Sequence, residues 1–350
     1  MLKLTKPICF PKRQSGLTLV EILVSLVIGL IIVGGVWTLL VNSRASFSTS
    51  QNQAQMLDSA RFAMHAIGRD LRLAGSYGTF TRPSEVRGVD VLGTAINDCA
   101  PQFYVNVAQK VYGTNGVNPF NGTCISDADH RDNTDILVVR YAEPTQFDNG
   151  AGTLQANMTY VHAYHADAQV FVAGTAPVFG AVSSDVDQLV GFPAVAPFIG
   201  LPVFNYRIVT HVYYIHNDSE PGDGVPSLHR ISLQAGGTGP EMVDELLVSG
   251  VDDLQVQFGV RDCTGTNCDQ SINSYLDADN PLFGGVAWPS TGVNQIGAVR
   301  VWLLVRSETA EQGLNTADTF NLGSRTVVQA NDSIRRSVYA SVFNLRNLSY

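Results

Sequence analysis

The sequence predicts an α+β protein in which one long N-terminal helix packs on an antiparallel β-sheet domain. Three observations carry this. An apolar run of about 25 residues spans Leu17–Val41. An apolar face at helical spacing follows it as far as Ala74. Beyond that point short β-branched runs, punctuated by Gly, Asn and Pro, replace the helical period.

The apolar run is the first element. At about 1.5 Å per residue it forms a helix roughly 37 Å long, enough to cross a bilayer with some tilt. Lys3, Lys6, Lys12 and Arg13 precede it with no acidic residue between them, and Ser15-Gly16 stands directly upstream. One ionisable group, Glu21, lies inside the run. A carboxylate in a lipid-compatible helix is costly and needs a partner, which makes it a functional residue by default. A plain membrane anchor has no use for Glu21. A secretory signal, with Ser43-Arg44-Ala45 as its cleavage site, needs an apolar region of about 7–15 residues, and this one is longer.

After Val41 the helix turns amphipathic. Phe47, Ala54, Leu57, Ala60, Met64, Ile67, Leu71 and Ala74 recur at spacings of three, four or seven, which places them on one face. Asp58, Arg61, Arg69, Asp70 and Arg72 are assigned to the polar side. Gly75 supplies a C-cap, and Arg69 and Arg72 suit the negative end of the helix dipole.

From Ser76 to about Asn133 the composition reads as loops and short strands. Asp135–Ala142 is a compact β-branched strand. Residues 143–205 are expected to be irregular, broken by Pro144, Pro177, Pro193, Pro197 and Pro202. Strands are expected at Val209–Ile215, Leu228–Leu233, Leu254–Val260 and Ala298–Val305, the last so apolar that it belongs in the middle of a sheet. Arg335–Leu345 closes the chain as a strand or strand-helix edge. Asp252-Asp253 reads as a surface turn before the strand at Leu254.

The 350 residues are 45% hydrophobic and 15% charged, the make-up of an ordered globular protein, and the net charge is −9. That balance argues against an extended basic groove for nucleic acid. There is no G-x-S-x-G, P-loop or H-E-x-x-H. His162 and His165 on a strand point to opposite faces, as do His211 and His216, so no catalytic histidine and no enzyme is expected. Asp127, Asp129, Asp132 and Asp135, and again Asp277 and Asp279, form oxygen-rich runs of the kind calcium takes. Arg131 occupies a ligand position and the EF-hand spacing fails, so solvated turns are the preferred reading, with structural calcium the alternative and no other cofactor expected.

Lys12-Arg13-Gln14-Ser15-Gly16 followed by Leu17-Thr18-Leu19-Val20-Glu21 resembles the class III leader of type IV prepilins and pseudopilins. The resemblance implies a cut between Gly16 and Leu17 by prepilin peptidase, methylation of the new N-terminus at Leu17, and an assembly role for Glu21. The family usually has Phe where Leu17 stands, a departure that bears on methylation more than on cleavage. Further stretches are similar to PilW-type minor pilins: Ala60–Ala63, Arg69–Gly75, Asp135–Tyr141, Tyr213–Ile215, Ser227–Arg230, Gly250–Gly259, Val299–Arg306, Arg335-Arg336 and Leu345–Asn347. They imply a pilin-like fold with leader 1–16, helix 17–75 (17–41 transmembrane) and a periplasmic head 76–350. They also imply storage in the inner membrane and then a place in a pilus. The partners implied are other minor pilins, the major pilin, the inner-membrane assembly platform and a tip adhesin. A type II secretion pseudopilin shares the leader and helix. A membrane-anchored periplasmic ligand-binding protein is the alternative from another class.

Loss of residues 1–16 would remove four basic groups, leaving 18 basic against 31 acidic residues, a balance of −13. Cys9 would leave with the leader. Cys99, Cys124, Cys263 and Cys268 would remain, in an oxidising compartment where disulfides persist. Cys99–Cys124 with Cys263–Cys268 is the favoured one of three connectivities.

For Glu21 the electrostatics follow from helix geometry. A new α-amine at Leu17 lies about 6 Å along the axis from Glu21. In a low dielectric that amine attracts the carboxylate strongly, whether it belongs to the same chain or to a staggered neighbour.

Overall fold

A computed structural model of the chain describes residues 16–78, 99, 101–107, 109–147, 154–164, 167–173, 204–262, 271–283, 294–311, 313–314, 317–328 and 332–348. Leader residues 1–15, Cys263, Cys268 and His165 lie outside them, as do Pro177, Pro193, Pro197 and Pro202. Helix α1 spans Leu19–Leu73 without interruption. The chain divides into two units, Met1–Gln51 and Asn52–Tyr350.

In the first unit the apolar side chains of α1 are exposed all round, and the helix is long and apolar enough to cross a membrane. Its hydroxyls stay inside the helix: Ser25 Oγ donates to the Glu21 carbonyl at 2.6 Å and Thr38 Oγ1 to the Gly34 carbonyl at 2.9 Å. Such back-bonding satisfies these two hydroxyls within the apolar run.

In the second unit α1 buries Asn52, Met56, Ala60, Ala63, Ile67, Gly68, Asp70 and Leu71. The face is therefore shifted from the expected one. Phe47 and Ala54 are exposed, and the small residues Ala60, Ala63 and Gly68 let strands approach closely. A Cβ on Gly68 would meet the Phe343 ring at 2.3 Å, and Arg72 covers the same ring. Asp70, assigned by sequence to the polar side, is 2% exposed. The helix stops as expected, with Gly75 in the left-handed region at φ +75°.

The strands are antiparallel throughout the described residues. β1 (Val111–Thr114), β2 (Ile136–Phe147), β3 (Thr159–Tyr164), β4 (Asp167–Val172), β5 (Phe204–His216), β6 (Ser227–Ala235) and β7 (Pro240–Ser249) make a seven-stranded sheet. Its order is β1-β2-β5-β3-β4, with β6 and then β7 added beside β5. β8 (Val251–Asp262), β9 (Ser274–Asp277), β10 (Asn294–Arg306) and the later β13 form a second sheet, and β11 (Thr319–Leu322) with β12 (Arg325–Val328) a separate ribbon. β13 (Arg336–Asn344) pairs with β10, and β10 pairs on its other side with β8, so the apolar strand Ala298–Val305 is interior.

Three sequence expectations change. Pro144 does not end its strand, because β2 continues to Phe147 through a register shift between Ala142 and Gln146. Within 143–205, β3 and β4 form a regular hairpin. Asp252 and Asp253 are not a surface turn. The turn is Gly250, at φ +76°, and both aspartates are buried in β8. Asp252 is ion-paired with Arg336 and lies 3.9 Å from both Arg131 and Arg306, while Asp253 pairs with Arg325 at 3.1 Å. Carboxylates ringed by guanidiniums can be buried where solitary ones cannot.

Candidate functional site

The N-terminal site begins at Gly16 and Leu17, which precede the helix; Leu17 is 73% exposed, and among the described residues nothing beyond its chain neighbours lies within 4 Å of where a Gly16 Cβ would sit. Thr18 is the N-cap and Glu21 the third helical residue. Glu21 Oε2 accepts from Thr18 N and Thr18 Oγ1, each at 3.1 Å, and Glu21 N donates to Thr18 Oγ1 at 3.3 Å. This is a reciprocal capping box, legible in the sequence as Thr-x-x-Glu. The box uses one carboxylate oxygen. It also accounts for the acid before any partner arrives, with its charge at the positive end of the helix dipole.

The junction inside the head is built on Asp70. Its Oδ1 accepts from Tyr141 Oη at 2.8 Å, and its Oδ2 from Tyr213 Oη and from His211 Nδ1, each at 2.5 Å. Tyr141 stands on β2, His211 and Tyr213 on β5, so one carboxylate ties the last turn of α1 to two adjacent strands. Burial alone would raise the Asp70 pKa, but His211, Tyr213 and Tyr141 outweigh it and hold the carboxyl below its usual range. The two phenols move the other way, raised by burial and by the Asp70 charge. A second tie lies earlier on the helix. Asn52 Nδ2 donates to Glu311 Oε1 at 3.1 Å, and Thr309 Oγ1 donates to Asn52 Oδ1 at 2.9 Å. Glu311 is itself gripped by Arg335, at 2.7 Å.

Arg140 is fully buried, with no carboxylate partner among the described residues. Its Nε donates to the Phe103 carbonyl at 3.1 Å and Nη1 to the Gln109 carbonyl at 2.7 Å, with the guanidinium 4.5 Å from the Phe103 ring centre. Burial lowers its pKa to about 10, still charged at neutral pH. It clamps the segment that follows Cys99, which is disulfide-bonded to Cys124 with Cα atoms 6.0 Å apart.

The acidic run is dispersed. Asp127 accepts from Asn118 and Asn121, and Asp129 from Ser126, with His216 at 3.5 Å. Asp135, read as part of a solvated turn, is buried. Its two oxygens accept from Gly116 N at 2.9 Å and Val256 N at 2.7 Å. Asp277 accepts from Gln257 at 2.9 Å. Among the described residues no three His, Cys, Asp or Glu side chains converge as a metal site. His211 and His216 do face opposite ways: the first meets Asp70, and the second stacks on His229 at 4.6 Å.

Asp135 sets a pH dependence. Burial pushes its pKa up to about 7, and burial likewise pushes Asp253 up to about 6. Between the unfolded value near 4 and these folded values the native state holds more protons, so these two groups weaken the fold as pH rises through that window. Burial lowers His130, which acts in the opposite sense. The test is therefore a comparison. Asp135→Asn is expected to show a smaller gain in Tm than the parent between about pH 7 and about pH 5, read by thermal melting of the full chain in detergent.

With this geometry in place the comparisons are informative. The prokaryotic N-terminal methylation motif matches residues 11–37, across the capping box and the apolar helix. The type IV pilus-assembly protein W family, PilW, matches residues 212–347, from within β5 to the end of the described chain. The chain therefore joins a prokaryotic N-terminal methylation motif to a region similar to the type IV pilus-assembly protein W family. A solved type IV-like pilin from Thermus thermophilus is similar at 8% identity and a TM-score of 0.31, covering 85% of this chain and 98% of that one. No curated protein matches the sequence.

Proposed function

We propose that the protein is a minor pilin, held in the inner membrane by α1 with its head in the periplasm, and incorporated into a type IV pilus near the tip. It acts there as a structural subunit rather than an enzyme, priming assembly with other minor pilins and supporting a tip adhesin. Prepilin peptidase cuts between Gly16 and Leu17, Leu17 is methylated, and Glu21 pairs with the N-terminal amine of an adjacent subunit. The observation that carries this reading is the Thr18–Glu21 capping box at the head of an exposed apolar helix, inside the matched methylation motif. A carboxylate with an uncommitted oxygen in lipid is stabilised by a cation, and a cleaved neighbour supplies one. The PilW region favours the pilus over a secretion pseudopilus. Mass spectrometry of sheared pili is the test. The reading requires an N-terminal peptide that starts at Leu17 and carries the mass of one added methyl group. A peptide that retains residues 1–16 in assembled material overturns it.

A further inference from the structure

The seven-stranded sheet forks at β5. Phe204–Arg207 pair with β3 and His211–His216 with β6, and among the described residues Ile208–Thr210 have no strand partner on that side. Beyond Ser232, β6 leaves β5 and, among the described residues, pairs only with β7. The two walls are tied across the top by Asn157, whose Nδ2 donates to the Gly236 carbonyl at 3.0 Å and the Gly237 carbonyl at 3.2 Å. Between them lies a crevice of about 370 Å³, of the size small ligands occupy.

Its lining is polar and rich in guanidinium groups. Arg69, Arg207 and Arg230 line it, against the two carboxylates Glu143 and Glu245. Arg207 pairs with Glu143, and Arg230 Nε donates to Glu245 at 2.7 Å. Asp70 lies behind the lining, holding three donors and standing 4.0 Å from Arg69 Nε. Each of the three guanidiniums has one carboxylate, yet the Nε of Arg207 is buried with no acceptor among the described residues. A buried donor left unpaired is costly, and a planar guanidinium fork fits an oxyanion. Gln155, Ser232 and Gln234 complete the lining with groups that both donate and accept, as hydroxyl recognition requires.

We infer that this crevice binds an acidic sugar, a ring of hydroxyls bearing a carboxylate or phosphate, with Arg207 and Arg230 gripping the oxyanion and Arg69 closing over it. The site goes beyond the pilus reading and holds whether or not the chain enters a fibre. Calorimetric titration of the full chain in detergent with glucuronate, glucose 6-phosphate, glucose and inorganic phosphate tests it. Saturable binding of either acidic sugar is expected, and the stronger of the two identifies the source of the oxyanion. Arg207→Gln is expected to weaken binding about 10-fold, the loss of one charge-assisted hydrogen bond. Glu143→Gln releases Arg207 and is expected to strengthen binding several-fold. Partly exposed cross-strand pairs contribute little to folding, so both variants fold and the opposite signs separate recognition from structure. Glucose binding as tightly as the acidic sugars overturns the oxyanion grip. Inorganic phosphate binding as tightly as the sugar phosphate overturns the sugar. Failure of both acidic sugars to bind, or the same affinity in Arg207→Gln, overturns the site.

Discussion

Replacing Asp70 by alanine is expected to lower the stability of the head by about 4 kcal/mol. The substitution removes the common acceptor of Tyr141, Tyr213 and His211 in a place that water does not reach. Each buried donor left without an acceptor costs about 1–3 kcal/mol, more than the net worth of the bond itself. Tyr141→Phe deletes one donor and leaves the carboxylate with two others, so its cost is about 1 kcal/mol. Asp70→Asn falls between, because an amide turns two hydrogens toward groups that are themselves donors. Chemical denaturation of the three variants reads the series, and an alanine variant within about 1 kcal/mol of the parent would show that the junction is not held by this carboxylate. The pH sign follows from the depressed pKa of Asp70. Its contribution is complete above the unfolded carboxylate value near 4 and disappears as pH falls through the lower folded value.

Glu21→Val is expected to abolish entry into the pilus while the protein stays in the membrane, since the helix becomes more apolar, not less. Glu21 caps its own helix, and the proposed function gives it a second, separable task of offering a charge to a neighbour. Glu21→Gln divides them, because glutamine can still serve the capping box with Thr18 but carries no charge. If the charge is what assembly uses, both variants disappear from sheared pili and both remain in membrane fractions. If capping is what matters, the glutamine variant assembles at the parental level, and the charge-pairing account is wrong. Either substitution removes at most about 1–2 kcal/mol of helix stability, too little to unfold a helix held by lipid.

The long helix was legible from composition alone, because an apolar run and an apolar stripe leave few alternatives. Strands with β-branched interiors, such as those in β2, β5 and β10, were legible for the same reason. β7 was not, since Pro240–Ser249 is an edge strand whose acidic residues interrupt the apolar signal, and the β3–β4 hairpin lay hidden in a stretch rich in proline. Asp70 was misread for an instructive reason. Its position three residues after Ile67 puts it on the apolar face, but a charge there suggests solvent unless its donors are known. Those donors come from strands about 70 and 140 residues away, which no local pattern contains. Asp252 and Asp253 were misread similarly, with their arginines on other strands and loops. The Thr18–Glu21 box, by contrast, was visible as a four-residue motif, overshadowed by the question of what else the acid might pair with.

The two ties on α1 also have a mechanical meaning. Asn52 and Asp70 lie about 27 Å apart along the helix, at the two ends of the segment that the head covers. A pull along the α1 axis loads both anchorages at once, in shear against strands and loops, instead of peeling them open one after the other. Tension on α1 is shared between an amide held by Thr309 and Glu311 and a carboxylate held by three donors. A head fastened in this way resists detachment from its helix at two places at once.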